Sequence, residues 1–439
     1  MKASNYNFFF PYEADEDKMI AYNSFSNALA LMDKDKYRVF REFCDKNTVI
    51  TDKEFITQLK KGNFLIEDNY NELEFLRLRM LKGRYNSRNL SLTIAPTADC
   101  NFRCLYCYEK DIIKSDYMTP EVENKIIEFA EKEMKTISNF HVSWYGGEPL
   151  MNLESIERLS HRFIKLCDEN NVSYEAGMIS NGYLLTREIC ELLNNLKVAY
   201  IQITIDGPKD VHDKKRPLID GSGTFDTIIG NLIACKDILP RISLRINTDK
   251  TNAEYIKDII DILESHGVLG RVSPYLGMIS PNNSEEEKSC FNTCDFSEID
   301  FDFASQAILG RSLMANYPRR TASYCIADSV NGFVIAADGK LYSCYREIGD
   351  HDRCVGSLVD KIDINSNIYL EYMLSDPTTA PGCKSCNLLP VCMGGCPHMK
   401  HESGEDGCSK YKYVLDKYLG SVASRIKSSN KDDNVAINT

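Results

Sequence analysis

Residues 90–110 read LSLTIAPTADCNFRCLYCYEK, an apolar strand-like run followed by Cys100, Cys104 and Cys107 in the order C-x3-C-x2-C. The cysteines stop at three. A structural zinc or an ordinary iron–sulfur cluster takes four protein ligands. Three close thiolates therefore describe an iron–sulfur centre with one iron left open, as a catalytic metal must be. Zinc with a distant fourth ligand is the competing reading.

Outward from this stretch, apolar strands alternate with amphipathic helices. The strands are LSLTIAP, FHVSWYG, YEAGMIS, AYIQITID, RISLRIN and RVSPYLGMI. Between them lie PEVENKIIEFAEKEMKTI, ESIERLSHRFIKLCDE, TREICELLNNL, FDTIIGNLIACKDIL and NAEYIKDIIDILESH. Such alternation predicts βαβ units and a parallel sheet. Six units over residues 86–285 fall short of an eight-fold barrel and predict an α/β fold with a partial, (β/α)6 TIM-like barrel. Its active site belongs at the C-terminal strand ends, where CNFRCLYC and YGGEP both fall.

Residues 1–85 read as a separate module with strands at NYNFFFPYE, AYNSFSNALALM and FLIEDN. Helices fall at KDKYRVFREFCDK, TDKEFITQLKKGN and YNELEFLRLRMLKGRYN, the second opened by a Thr51/Glu54 capping box. This pattern is winged-helix-like. Residues 286–323 form a polar connector with a helical segment, and 324–439 a short-stranded, cysteine-rich C-terminal domain ending in a tail, 428–439, expected to fray.

A chain of 439 residues with 43% hydrophobic and 26% charged content has room for two or three cores. The net charge of -12 argues against nucleic acid as a partner and suits neutral or basic ones, peptides included. No apolar run reaches the roughly 20 residues of a membrane helix, and no secretory signal opens the chain, so a cytoplasmic location is expected. In that reducing compartment the 17 cysteines are ligands or catalysts before they are disulfides.

C-x3-C-x-aromatic-C after the first strand of a βα barrel resembles the radical S-adenosylmethionine (SAM) superfamily. Trp144-Tyr145-Gly146-Gly147-Glu148-Pro149 resembles its GGEP motif. The resemblance implies a [4Fe–4S] cluster on Cys100, Cys104 and Cys107, whose free iron holds SAM. Cleavage of SAM to a 5′-deoxyadenosyl radical, which abstracts hydrogen from substrate, is implied with it. Tyr106 would pack near adenine, Gly146 and Gly147 would let backbone approach the cofactor, and Glu148 would accept from its ammonium group. Ser180 and Asn181, then Gln202, Thr204 and Asp206, occupy positions resembling ribose and carboxylate contacts. Arg216 suits the methionyl carboxylate bidentately, and Asn247 is a later contact.

Cys325, Cys344, Cys383, Cys386, Cys392, Cys396 and Cys408 resemble the seven-cysteine SPASM signature of peptide maturases. By resemblance, Cys383, Cys386, Cys392 and Cys408 hold one auxiliary [4Fe–4S] cluster, and Cys325, Cys344 and Cys396 a second. The fourth ligand of the second stays open among Cys290, Cys294, Cys354 and a substrate thiolate. Cys44, Cys167, Cys190 and Cys235 read as buried packing, His398 as a surface or turn residue, and SEEEK as a solvated loop.

The function implied is a radical SAM/SPASM maturase that cross-links a ribosomal precursor peptide. The bond is either carbon–carbon, as in Lys–Trp, or a cysteine thioether. The N-terminal module would capture the leader, and a flavodoxin- or ferredoxin-type donor would supply electrons. Formylglycine generation on a sulfatase is the near alternative, disfavoured because Tyr345 stands where those relatives carry aspartate. A non-catalytic Fe–S redox regulator is the distant one.

Overall fold

The computed structural model describes residues 1–281, 284–306, 317–360, 366–403 and 407–429. The chain divides into two compact units. One comprises Met1–Arg84, Thr293–Cys325 and Ser375–Thr439; the other comprises Tyr85–Asn292 and Ile326–Leu374. The stretch 324–439, read above as one domain, is thus shared between both.

In the first unit, β1 (Lys2–Ala3) pairs with β5 (Leu65–Ile66). β2 (Asn7–Pro11), β3 (Lys18–Asn23) and β4 (Ala28–Asp33) make an antiparallel sheet in that order. AYNSFSNALALM therefore covers two strands, turned at Asn27 with φ 63°. α1 (Lys34–Lys46), α2 (Lys53–Lys61) and α3 (Glu72–Arg84) follow as expected. The cap of α2 differs from the capping box: Asp52 accepts from the Glu54 and Phe55 amides at 2.9 and 3.0 Å. A carboxylate at that position satisfies two helix-end donors at once.

One face of the three-stranded sheet buries Tyr22 and Leu29 with Tyr317, Tyr418 and Leu419. Helix Thr293–Ser305 lies against helix Tyr411–Ser429, joined by the Lys410–Asp300 ion pair (2.6 Å) and by an edge contact of Phe301 with Tyr418. Ser428 and Ser429 of the supposedly frayed tail thus end a helix, and the rest of that tail lies outside the described residues.

The second unit is built on β6 (Asn89–Ile94), β7 (Asn139–Trp144), β8 (Ser173–Ser180), β9 (Val198–Thr204), β10 (Arg241–Thr248) and β11 (Val272–Met278). All six are parallel and neighbours in sequence order, the topology of a partial barrel. Helices α4 (Pro120–Glu133), α5 (Leu153–Asn170), α6 (Arg187–Asn195), α7 (Lys209–Lys215), α8 (Phe225–Cys235) and α9 (Ile256–Ser265) connect them. Thr119 and Thr186 cap α4 and α6 through their hydroxyls. Leu92, Ile94, Val142 and Trp144 are essentially without solvent exposure, as strands covered on both faces require. Beyond β6 the sheet continues into β12 (Gly332–Ile335, parallel), β13 (Lys340–Tyr342) and β14 (Gly356–Ser357), both antiparallel.

Cys167, Cys190 and Cys235 are fully buried, whereas Cys44 is exposed on α1 and so is not a packing residue. His398 is buried at the start of helix Pro397–Ser403, not a surface residue. SEEEK contains a short helix, Ser284–Glu287, and Glu286 pairs with Lys110 at 3.5 Å. No helix among the described residues is long and apolar enough to cross a membrane.

Candidate radical SAM site

The cysteine loop leaves β6 and is pinned on two sides. From one side comes the segment after α7: the Arg103 and Leu105 amides donate to the Pro217 and Lys215 carbonyls (2.8 and 3.0 Å). The Ile219 amide donates back to the Asn101 carbonyl (3.1 Å), and Phe102 bridges Leu218 in antiparallel fashion. From the other side comes the turn after β7. The Glu148 amide donates to the Asp99 carbonyl (2.9 Å), and the Gly147 amide to that of Thr97 (3.3 Å). A Cβ on Gly147 would sit 2.1 Å from the Asp99 oxygen; one on Gly146, whose φ is +114°, would sit 2.4 Å from the Thr97 oxygen. The two glycines are thus required first by the cysteine loop itself, which the turn touches backbone to backbone.

Glu148 is fully buried and accepts from the Leu150 amide (3.1 Å), the Ser180 hydroxyl (2.9 Å) and the Asn181 amide (2.7 Å). Burial pushes its carboxyl up to about 7, against the opposing pull of these bonds. Asn181 also reaches the Asn101 side chain at 2.8 Å, tying the end of β8 to the cysteine loop.

A second group gathers at Tyr106. Its hydroxyl donates to Asp206 and accepts from Arg216 (2.7 Å) and the Asn247 amide group (3.0 Å). The Asn247 backbone amide donates to the other Asp206 oxygen (3.0 Å). The guanidinium of Arg216 also lies over the Phe102 ring, 5.6 Å from its centroid. Tyr106, expected near adenine, thus has its hydroxyl end engaged by Asp206 after β9, Arg216 at the end of α7 and Asn247 in β10. Gln202 stands apart, accepting from Tyr275 at 2.5 Å, and Thr204 is buried on β9.

The sequence reading passed over several positioning residues. Asn252 donates to the Asp206 and Asn247 carbonyls (2.7 and 2.8 Å). His212, with no solvent exposure, accepts from the Asp206 amide through Nδ1 (3.2 Å) and meets Thr224 through Nε2 (3.1 Å). Burial holds it well below the usual imidazole range, so it is neutral, with its proton on Nε2. Lys215 pairs with Asp249 at 2.6 Å. Only Asn101, lying between cysteines, stood where the sequence could have signalled it.

Cys100, Cys104 and Cys107 are half-buried, and burial raises all three thiols, Cys107 to about 12. Among the described residues no three His, Cys, Asp or Glu converge on a single-ion geometry. A cubane asks for none, because each thiolate binds a different iron. The other donors fit SAM. Glu148 has about four acceptor sites, three of them filled, which leaves one for an ammonium group. Arg216 is buried with its Nε lacking a partner, which suits a carboxylate.

In the first unit, the Cys386 amide donates to the Cys383 carbonyl (2.9 Å) and the Cys396 amide to that of Gly407 (3.2 Å). Burial pushes the Cys392 thiol up. Cys325 belongs to this unit and Cys344 to the other. Of the candidates for a fourth ligand, Cys290 is buried, Cys294 is exposed, and Cys354 donates to the Gly356 carbonyl at 3.1 Å.

Residues 94–277 match the Radical SAM superfamily. The chain is 25% identical over 373 residues to a cysteine-type anaerobic sulfatase-maturating enzyme of Clostridium novyi, covering 76% of this chain and 96% of that protein. It is 22% identical to the radical SAM cyclopropyl synthase TigE of Paramaledivibacter caminithermalis, covering 87% of each. The solved structure of anSMEcpe with bound AdoMet and Kp18Cys peptide shares the fold at TM-score 0.60 and 18% identity, over 76% of this chain and 99% of that one. Streptococcus suis SuiB bound to precursor peptide SuiA shares it at TM-score 0.53 and 16% identity, over 91% and 97%. The chain carries a radical SAM domain and is a radical SAM enzyme whose cofactors are SAM and a [4Fe–4S] cluster. The reading as a non-catalytic regulator falls with that.

Proposed function

We propose that this enzyme binds a ribosomally made precursor peptide and closes one intramolecular cross-link in it, carbon–carbon or cysteine thioether. The supporting observation is the N-terminal sheet. Among the described residues, β2 and β4 each pair only with β3, so each offers an unpaired edge to which a leader can add as a strand. The likeness to SuiB, which extends over 91% of the chain, supports the same arrangement.

When bound and reduced, the cluster and SAM would supply hydrogen-abstracting radical chemistry. Cys100, Cys104 and Cys107 would hold the cluster; Glu148 would take the ammonium group of SAM and Arg216 its carboxylate. Tyr106, itself bonded to Asp206 and Asn247, holds Arg216 in place. Cys383, Cys386, Cys392 and Cys408 would hold one auxiliary cluster, and Cys325, Cys344 and Cys396 another. Such clusters suit a net oxidation, because they can accept an electron. A flavodoxin- or ferredoxin-type protein would supply the reducing electron. Formylglycine formation is the weaker reading: Tyr345, half-exposed with its ring 5.4 Å from that of Tyr145, offers no carboxylate to act as base.

Anaerobically reconstituted protein should contain about twelve irons, four per cluster. It should release 5′-deoxyadenosine from SAM under dithionite, where a C100A control does not. The precursor, a short peptide encoded nearby, should lose two hydrogens by mass spectrometry. An unchanged mass defeats the cross-linking reading.

A further inference from the structure

A cavity of about 250 Å³ borders the Gly146–Gly147 turn, within the second unit. Its walls come from the end of β6, the chain after the third cysteine, and the β12–β13 hairpin with the turn beyond it. It is smaller than the roughly 300–1,000 Å³ of a small-molecule site and suits one side chain. Ala95, Ile112, Ile113, Ala336 and Ile348 supply an apolar lining.

Glu109 is the buried acid in that lining. It is only 6% exposed and borders the cavity, yet no hydrogen bond or ion pair reaches its carboxylate among the described residues. A buried carboxylate without a partner is costly, and the cost is removed when a cation arrives. Of the cations nearby, Lys114 pairs with Asp116, Lys340 pairs with Asp338 at 2.6 Å, and Arg346 lies over the Tyr108 ring, 5.1 Å from its centroid. Asp111, Asp116 and Asp338 add to the acidic character of the rim, against Lys114 and His351. Among the described residues no ion pair supplies Glu109 with a positive charge, and one from a bound peptide can.

We infer that this cavity receives a cationic side chain of the peptide substrate, a lysine or arginine, with Glu109 as its counter-ion. The apolar walls take the methylene stem, and the carboxylate takes the head group. The location fits, because Glu109 is two residues beyond Cys107 and the cavity touches Gly146 and Gly147, so a residue held there lies next to the reaction centre. The inference rests on the proposed peptide substrate and adds a specificity to it: the core residue placed at this cavity is basic.

The test is binding to the full-length, anaerobically reconstituted enzyme, followed by saturation-transfer NMR. The probes are N-acetyl-lysine methylamide and N-acetyl-norleucine methylamide, which share a stem and differ in charge. Wild type should prefer the lysine probe by about tenfold or more, and Glu109→Gln should abolish that preference. Equal binding of the two probes, binding of neither, or a preference retained in Glu109→Gln overturns the inference. The wild-type comparison stands alone should the variant fail to fold. No turnover is needed, so this outcome is separable from the function itself. Peptide cross-linking without lysine preference defeats only the cavity, and lysine preference without 5′-deoxyadenosine defeats only the chemistry.

Discussion

The two cysteine-rich regions of this chain are built by different means. Residues 100–107 hang from the C-terminal ends of parallel strands, stitched by backbone hydrogen bonds to the β7 turn and to the segment after α7. Among the described residues, 383–408 contribute no strand to any sheet. Their described part is two short helices, Leu389–Cys392 and Pro397–Ser403, joined by turns, with Leu389 and Met393 packed on Tyr6, Phe25, Leu76 and Met80 from the other end of the chain. A sheet fixes geometry through a ladder; a turn segment depends on special backbone positions and on whatever covers it. Damage should therefore spread differently in the two.

Removal of a thiol is the harshest way to break this contrast. Cys104→Ala should abolish 5′-deoxyadenosine formation and lower iron by about four per chain. Cys392→Ala should lower iron by the same amount while SAM cleavage persists; iron assay and chromatography of the nucleoside separate the two.

Glycine substitutions come next. Gly147→Ala forces a Cβ to 2.1 Å from the Asp99 oxygen and should cut 5′-deoxyadenosine yield at least tenfold. Gly395→Ala places a Cβ 1.6 Å from the Gly407 oxygen at φ +75°. It should cost more than the roughly 1–2 kcal/mol of a left-handed residue alone, read as a lowered unfolding midpoint and lost auxiliary iron.

A milder probe is Tyr106→Phe, which removes the hydroxyl shared by Asp206, Arg216 and Asn247. Leaving those buried groups short of a partner should cost about 1–3 kcal/mol and weaken SAM binding, measured by denaturant unfolding and equilibrium dialysis. The smallest effect is expected far from both regions. Asp52→Ala removes the cap of α2, at about 1 kcal/mol, with 5′-deoxyadenosine formation unchanged.

What the sequence disclosed follows the same division. The six barrel strands and all their helices but α7 were legible, because buried parallel strands are apolar runs and the longer helices carry a 3.6-residue period; α7 has only seven residues, nearly all polar. The cysteine spacing declared ligands without geometry. Hidden were contacts made by ordinary residues at a distance. Asn252 and His212 support Asp206 through their side chains, and nothing in TNAEY or DVHDKK marks them. Glu109 shows no unusual spacing, since its isolation exists only once the cavity around it has formed. The α2 cap was misplaced by one residue because Thr51 and Asp52 are both good caps and only the backbone chooses between them.

The first unit is assembled from the chain's two extremities and a middle piece. Tyr22 in β3 buries against Tyr317 and Tyr418, and its hydroxyl donates to the Pro318 carbonyl at 3.1 Å. A ribosome making this protein releases the barrel segment well before it supplies the last helix, so the first unit, although begun first, is completed last. Nascent chains stalled before residue 411 should accordingly leave residues 1–84 open to protease while the barrel is already resistant.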